Sequence, residues 1–159
     1  NGQHNRQQNG QQNGQQNGQH NGQHNGQHNG QQNGQHNGQQ NKNIELTDFG
    51  CNNSNSMDYP DVIHPLSQAV NEGKYEFGII ICGSGNGVSM TANKYPGIRA
   101  ALCWIEEIAV LARQHNNANI ISIPARFVTS EEAIKMIDIF LKTPFEGGRH
   151  QTRVNKIAI

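Results

Sequence analysis

A cysteine followed by alternating glycines is the stretch of this sequence best suited to chemistry. It reads Ile-Cys-Gly-Ser-Gly-Asn-Gly from Ile81 to Gly87. The continuous apolar run Phe77 to Cys82 leads into it, as is typical of a strand buried on both faces. Glycines free the backbone to approach a ligand, and a helix beginning after them presents unpaired N–H groups. Such surroundings favour a thiolate and stabilise negative charge developing on a substrate.

Two other interpretations of this stretch remain open. A lone cysteine at a strand end is more often a small packed residue than a reactive one. A dinucleotide-binding turn also has three glycines, but its third glycine lies one residue later. Dinucleotide-binding sites also have an acidic residue after the next strand, which binds the ribose, whereas this chain has Cys103 there. NAD binding is therefore the weaker of the two alternatives.

Two further segments carry ionisable side chains. His115 lies at the expected C-terminus of a helix, where it can act as an acid or base near neutral pH or simply serve the helix dipole. Arg149 and Arg153 are four residues apart and share one face of a helix. Two guanidinium groups on one face suit a phosphate. Taken alone, such a pair is more commonly a solvated basic end.

Strand and helix patterns alternate along the chain, with no hairpin signal between the strands. We expect strands at residues 44–46, 77–82, 98–103 and 119–123, and helices at 60–73, 87–94, 105–115 and 130–141, the last capped by Ser130. This order predicts a three-layer α/β/α, Rossmann-like domain around a parallel sheet. Ligands bind such sheets beyond the carboxyl ends of the strands. The turn after Cys82 and the segment after Leu102 lie there.

The first 40 residues are a different kind of sequence. They form ten tetrads of the type Asn-Gly-Gln-(Gln or His), interrupted only by Arg6, and contain no aliphatic or aromatic residue. A segment of this composition cannot bury enough apolar surface to offset the entropy of ordering. We therefore predict a disordered low-complexity tract over 1–41 and one folded domain over 42–159. The histidines of the tract either bind a transition metal weakly or reflect repeat drift alone.

Charge and composition exclude several classes of function. The chain has 12 basic and 12 acidic residues and no net charge, so no overall field attracts nucleic acid or an anionic membrane. Neither an 18-residue apolar window nor a signal peptide is visible. Cys51, Cys82 and Cys103 are an odd number at wide spacing, which favours free thiols in a reducing, cytoplasmic compartment over a disulfide framework or zinc site.

Several short stretches occur in an order and spacing that resemble one known family. They are Met57–Pro60, Ile81–Gly87, Ala92–Lys94, Gly97–Ala101, Arg113–Asn116, Ala125–Arg126 and Glu146–His150. From about Ile44 to Ile159 the chain resembles the type B ribose-5-phosphate isomerases, a family that also includes galactose-6-phosphate isomerase subunits. The resemblance implies an α/β aldose–ketose isomerase of the pentose phosphate pathway that passes through an enediolate. A galactose- or allose-6-phosphate isomerase subunit and a non-catalytic sugar-phosphate-binding remnant are the alternatives.

The resemblance also implies roles for matching residues. Cys82 corresponds to the base that moves a proton between C1 and C2, and His115 to the group that opens the sugar ring. Substrate-binding positions are Gly83, Ser84, Gly85, Asn86, Gly87, Asn116, Arg126, Arg149 and Arg153. The family implies a homodimer with a site shared between subunits, a sugar-phosphate substrate, and neither a metal nor an organic cofactor.

One departure from the family pattern concerns residues before Ile44. The family has there a strand, an Asp-His pair and a helix, whereas this chain has the tetrad tract. The resemblance therefore implies an N-terminally incomplete domain: a fragment or overwritten gene, an inactive remnant, or a chain that pairs with an intact subunit. We favour the first and expect the chain alone to be weakly active or inactive.

Overall fold

The computed structural model describes residues 44–50 and 56–157. The predicted tract over 1–41 and the loop containing Cys51 lie outside these residues. The described part has five helices and three strands, in the order α1 (Tyr59–Asn71), β1 (Gly78–Cys82), α2 (Asn86–Ala92), β2 (Ala100–Leu102), α3 (Glu106–Asn116), β3 (Ile120–Pro124), α4 (Ser130–Lys142) and α5 (Arg149–Val154). None of its helices has the length and apolar character needed to cross a bilayer.

The three strands form one parallel sheet in the order β1-β3-β2. β3 lies in the middle and is buried along its whole length, which explains its apolar sequence. Its register pairs Gly78 with Ile120 at the amino ends and Cys82 with Pro124 at the carboxyl ends. β1, which leads into the glycine turn, is therefore paired directly with the central strand β3.

Helices cover both faces of the sheet. On one face α1 and α2 contribute Ile63, Val70, Val88 and Ala92, which pack with Ile80 and Ile120. On the other face α3 and α4 contribute Ala109, Ala112, Met136 and Phe140, which pack with Ile121 and Ile123. Successive residues of β3 thus serve opposite layers, as the two-residue repeat of a strand requires. The predicted three-layer α/β/α class is confirmed.

Two local predictions were wrong. Residues 44–46 form no strand, and Ile44 and Leu46 are 76% and 80% exposed, because no strand among the described residues lies beside them to supply a hydrogen-bonded ladder. Thr129, not Ser130, caps α4: the Thr129 hydroxyl accepts from the Glu132 N–H, and the Glu132 carboxylate accepts from the Thr129 N–H. A helix capped in this way begins one residue after its cap.

The outer side of β1 is open within the described residues. β1 pairs with β3 alone, and Ile81, one residue before Cys82, is 60% exposed. A continuous apolar run predicts burial on both faces, and Ile81 departs from that expectation.

Candidate active site

The loop after β1 is held against the loop after β3. The Cys82 carbonyl accepts from the Ala125 N–H at 2.9 Å, and the Gly83 carbonyl accepts from the Arg126 N–H at 3.0 Å. These bonds continue the pairing of the two strands past their ends. They place the partly exposed Cys82 and the exposed Arg126 at the same edge of the sheet.

Gly85 forms the tightest point of this loop. Its φ is +72°, and a Cβ there would lie 2.4 Å from Cδ1 of Leu102. Its carbonyl accepts hydrogen bonds from two buried hydroxyls, Ser89 at 2.7 Å and Ser122 at 2.9 Å. The middle glycine is therefore required both by backbone conformation and by contact with β2. The two serines fix the loop to α2 and β3.

The outer glycines make room for two side chains. A Cβ on Gly83 would lie 3.0 Å from Nε of Arg126, and one on Gly87 would lie 2.7 Å from Cζ of Tyr59. The exposed Ser84 and Asn86 lie between them, with the Asn86 N–H 3.4 Å from the Ser84 hydroxyl. Residues 83–87 thus form a strip of backbone with a phenol at one end and a guanidinium at the other. We call Tyr59, Cys82, residues 83–87 and Arg126 the carboxyl-end cluster.

Cys103 lies in a different environment from Cys82. It is fully buried beyond β2, and burial raises the pKa of its thiol to about 12. The thiol donates to the Ala101 carbonyl at a sulfur–oxygen distance of 3.6 Å. Because its thiolate is strongly disfavoured, Cys103 is a packing residue. Cys82 is the cysteine of the described residues that a substrate can reach.

A second cluster gathers two histidines and a glutamate. His115, near the end of α3, stacks on His150 of α5 with ring centres 4.2 Å apart and an interplanar angle of 4°. Oε2 of Glu146 lies 3.9 Å from Nε2 of His115 and 3.7 Å from Nε2 of His150. His150 is buried, whereas His115 and Glu146 are partly open to solvent. One carboxylate therefore faces both imidazoles.

Cationic side chains surround this second cluster. Arg149 and Arg153 are exposed one turn apart on α5, and Nε of Arg149 lies 3.4 Å from Nε2 of His150. Desolvation, and then the charges of His115, Arg149 and Arg153, lower the pKa of His150, while Glu146 acts in the opposite direction. The exposed Asn116 ends α3 beside His115. We call His115, Asn116, Glu146, Arg149, His150 and Arg153 the amino-end cluster.

A buried arginine fixes the end of α3 that carries His115. Arg113 donates to the carbonyls of Ala118 at 2.6 Å and Thr143 at 3.2 Å. Its guanidinium carbon lies 4.9 Å from the ring centre of Phe77. Arg113 thereby joins α3 to the segment after α4 and to the residue before β1.

The two clusters lie at opposite edges of the sheet. Cys82 and Arg126 follow the carboxyl ends of β1 and β3, whereas α3 ends just before the amino end of β3. The contact of Arg113 with Phe77 confirms that the end of α3 lies beside the amino end of β1. The five residues of β3 rise about 13 Å between these edges. One chain thus brings Cys82 together with Arg126, and His115 with Arg149 and Arg153, but does not join the two groups.

Three of these residues, Tyr59, Glu146 and His150, had no predicted role. All three fall within stretches that carry the family resemblance, yet only the structure shows what they contact. Helical spacing gave no signal for Glu146 and His150, because Glu146 precedes α5 and is separated from it by Gly147 and Gly148, both with positive φ. No sequence signal predicted the close approach of Tyr59 to Gly87, because the two residues are distant in sequence.

A parallel α/β domain with a reachable cysteine at a strand end and a separate group of histidines and arginines defines a candidate enzyme for anionic substrates. The family described as Ribose/Galactose Isomerase matches residues 23–157, and the chain belongs to this family. The match begins within the tetrad tract, before the resemblance expected from Ile44. The family resemblance found in the sequence is confirmed.

Individual relatives agree with this assignment. Ribose-5-phosphate isomerase B of Escherichia coli K12 is 41% identical over 116 residues, which cover 73% of this chain and 78% of the relative. The crystal structure of the Thermotoga maritima enzyme is similar with a TM-score of 0.70 and 48% identity, over 72% of this chain and 79% of that one. A structure of the Mycoplasma genitalium enzyme with bound ribulose 5-phosphate has a TM-score of 0.66 and 49% identity, over 68% and 72%.

Proposed function

We propose that this protein interconverts ribose 5-phosphate and ribulose 5-phosphate in the cytoplasm. The main support for this proposal is Cys82, a solvent-accessible thiol at the end of a strand in a chain that belongs to a family of sugar isomerases. The relatives named above, one of them solved with ribulose 5-phosphate, support the choice of substrate. The family name also includes galactose, so a six-carbon sugar phosphate is the second candidate.

In the proposed reaction Cys82 acts as the base. Its thiolate takes the proton from C2 of the open-chain aldose, the electrons of that bond form the C1–C2 double bond of an enediolate, and the π electrons of the C1 carbonyl move to O1. The same thiol returns the proton to C1, while the hydroxyl proton moves from O2 to O1. Backbone N–H groups of residues 83–87 donate to the enediolate oxygens. Developing negative charge is stabilised best by donors fixed in advance, and the bonds to the Gly85 carbonyl provide that rigidity.

The amino-end cluster suits ring opening and phosphate binding. His115 is partly exposed and can exchange a proton with the ring oxygen and the anomeric hydroxyl, with Asn116 beside it on the sugar. Arg149 and Arg153 present two guanidinium groups from one helical face to the phosphate. Arg126, near Cys82, would bind the substrate from the opposite side.

We further propose that each site forms between two copies of the chain. The separation of the two clusters within one chain supports this arrangement, because a pentose phosphate must contact both. The carboxyl-end cluster of one copy would face the amino-end cluster of the other. A two-fold dimer would then contain two equivalent sites.

Replacing Cys82 tests the proposed chemistry. We expect Cys82→Ala to reduce kcat for ribose 5-phosphate by at least about a thousandfold while leaving binding of ribose 5-phosphate measurable by calorimetry, because the base is lost but the phosphate-binding groups remain. The matched control is Cys103→Ala, which removes the buried thiol and should retain turnover. Equal turnover by the Cys82 variant and the unmodified chain would contradict the proposal. Parallel assays with galactose 6-phosphate and allose 6-phosphate decide between five- and six-carbon substrates.

A further inference from the structure

The amino-end cluster contains three side chains of the types that bind transition metals. We propose that His115, Glu146 and His150 bind a single zinc-class divalent cation. Their candidate ligand atoms all lie within 4.8 Å of one another, with the carboxylate oxygen 3.9 Å and 3.7 Å from the two imidazole nitrogens. The family resemblance implied no metal, so this site goes beyond the proposed reaction.

The donor set matches the coordination chemistry of zinc. Two imidazole nitrogens and one carboxylate oxygen are a common zinc ligand set that leaves a fourth position for water. Bond lengths of about 2.0–2.2 Å place tetrahedral ligand atoms about 3.4 Å apart. The glutamate–histidine separations exceed this value by less than one ångström. The three candidate ligand atoms lie within 4.8 Å of one another, so closing the site also requires the two stacked imidazoles to turn out of their parallel arrangement.

The backbones that carry the ligands are already fixed. The Glu146 N–H donates to the Gln114 carbonyl at 3.1 Å, next to His115, and the His150 N–H donates to the Gly147 carbonyl at 3.0 Å. The nearly parallel imidazoles must tilt for both lone pairs to converge on one ion. The exposure of His115 and Glu146 leaves room for that tilt and for the water ligand.

Arg149 competes with a cation for this site. Its Nε lies 3.4 Å from Nε2 of His150, the nitrogen that would bind the metal. This contact is long, and the Arg149 side chain is exposed, so it can move away. Its positive charge still opposes a divalent ion. Replacing Arg149 with glutamine should accordingly strengthen metal binding.

Zinc titration of the full chain by calorimetry, with cobalt(II) absorption as a spectroscopic probe, tests the proposal. We expect His150→Gln and Glu146→Gln each to remove one site or weaken it by at least about tenfold, and Arg149→Gln to tighten it. Metal bound by the five histidines of the tetrad tract appears equally in every variant and cancels in the comparison.

His64→Gln is the matched control. His64 lies on α1 and its ring bonds the Tyr95 hydroxyl at 3.0 Å, so the same type of substitution there should leave the number of sites and their affinity unchanged. Circular dichroism checks that each variant is folded. Identical zinc isotherms and cobalt spectra for the unmodified chain and both folded ligand variants would overturn the proposal.

Zinc at this site would also inhibit the proposed isomerisation, because it occupies the imidazole nitrogen of His115. This consequence rests on the proposed function, whereas the binding measurement does not. A chain that binds zinc through the three residues, but whose turnover of ribose 5-phosphate does not fall on Cys82→Ala, would contradict the proposed function alone.

Discussion

A comparison of Gly85 with Gly73 separates the effect of backbone conformation on stability from the effect of side-chain packing. Gly73 has the same φ of +72°, but a Cβ added there would meet no atom within 4 Å, whereas one on Gly85 would meet Leu102 at 2.4 Å. Gly73→Ala should therefore lower the free energy of unfolding by about 1–2 kcal/mol, the cost of a left-handed conformation. Gly85→Ala should lower it further and reduce turnover, because the Leu102 side chain or the loop must also shift to make room for the added Cβ.

Urea unfolding and assays of ribose 5-phosphate isomerisation check this pair. Equal losses of stability, together with normal turnover of the Gly85 variant, would show that the close contact with Leu102 does not position the loop. From the sequence, the glycine pattern indicated a backbone that approaches a ligand. It could not show that the middle glycine also lies in close contact with Leu102 of β2, because that contact depends on how nonadjacent strands pack.

At the scale of elements, the cap of α4 links helix stability to pH. Hydrogen bonds from the Thr129 N–H and then from its hydroxyl lower the pKa of Glu132 below its ordinary value of 4.5. A carboxylate whose pKa falls on folding stabilises the folded state above its unfolded pKa, and this contribution is lost as pH falls through the lower folded value. Thr129→Ala should lower the free energy of unfolding at pH 7 by about 1 kcal/mol and weaken its decline at acidic pH.

Ser130→Ala is the control for the cap, since Ser130 begins the helix and Thr129 makes the capping bonds. Stability is measured by urea unfolding between pH 7 and pH 3. A larger loss of stability in the Ser130 variant than in the Thr129 variant would show that Ser130 caps the helix. Both residues are good caps, so composition alone could not choose between them, although the Thr-x-x-Glu spacing was a signal for Thr129.

The central helices and strands were predictable because their apolar periods are clear. Residues 44–46 were not, because a strand requires a neighbour that the local pattern does not show.

At the scale of the whole molecule, the two clusters are separated by the direction of the sheet. Cys82 ends a strand, whereas His115 precedes one, and in a parallel sheet these positions lie at opposite edges. The order of elements in the sequence already contained this information once the parallel sheet was predicted. The stacking of His115 on His150 and the close approach of Tyr59 to Gly87 could not be predicted in this way, because they depend on how the elements pack in three dimensions.

Mixing two inactive chains tests whether a site is shared between copies. Cys82→Ala disables the carboxyl-end cluster and His115→Asn disables the amino-end cluster. If each site combines clusters from two copies, a dimer of one variant with the other contains one intact site and one doubly defective site. Random pairing makes half of the dimers mixed, so co-expression should restore about a quarter of the activity of the unmodified protein. If both clusters of a site came from the same chain, every site would contain one defect, and the mixture would be as inactive as its components.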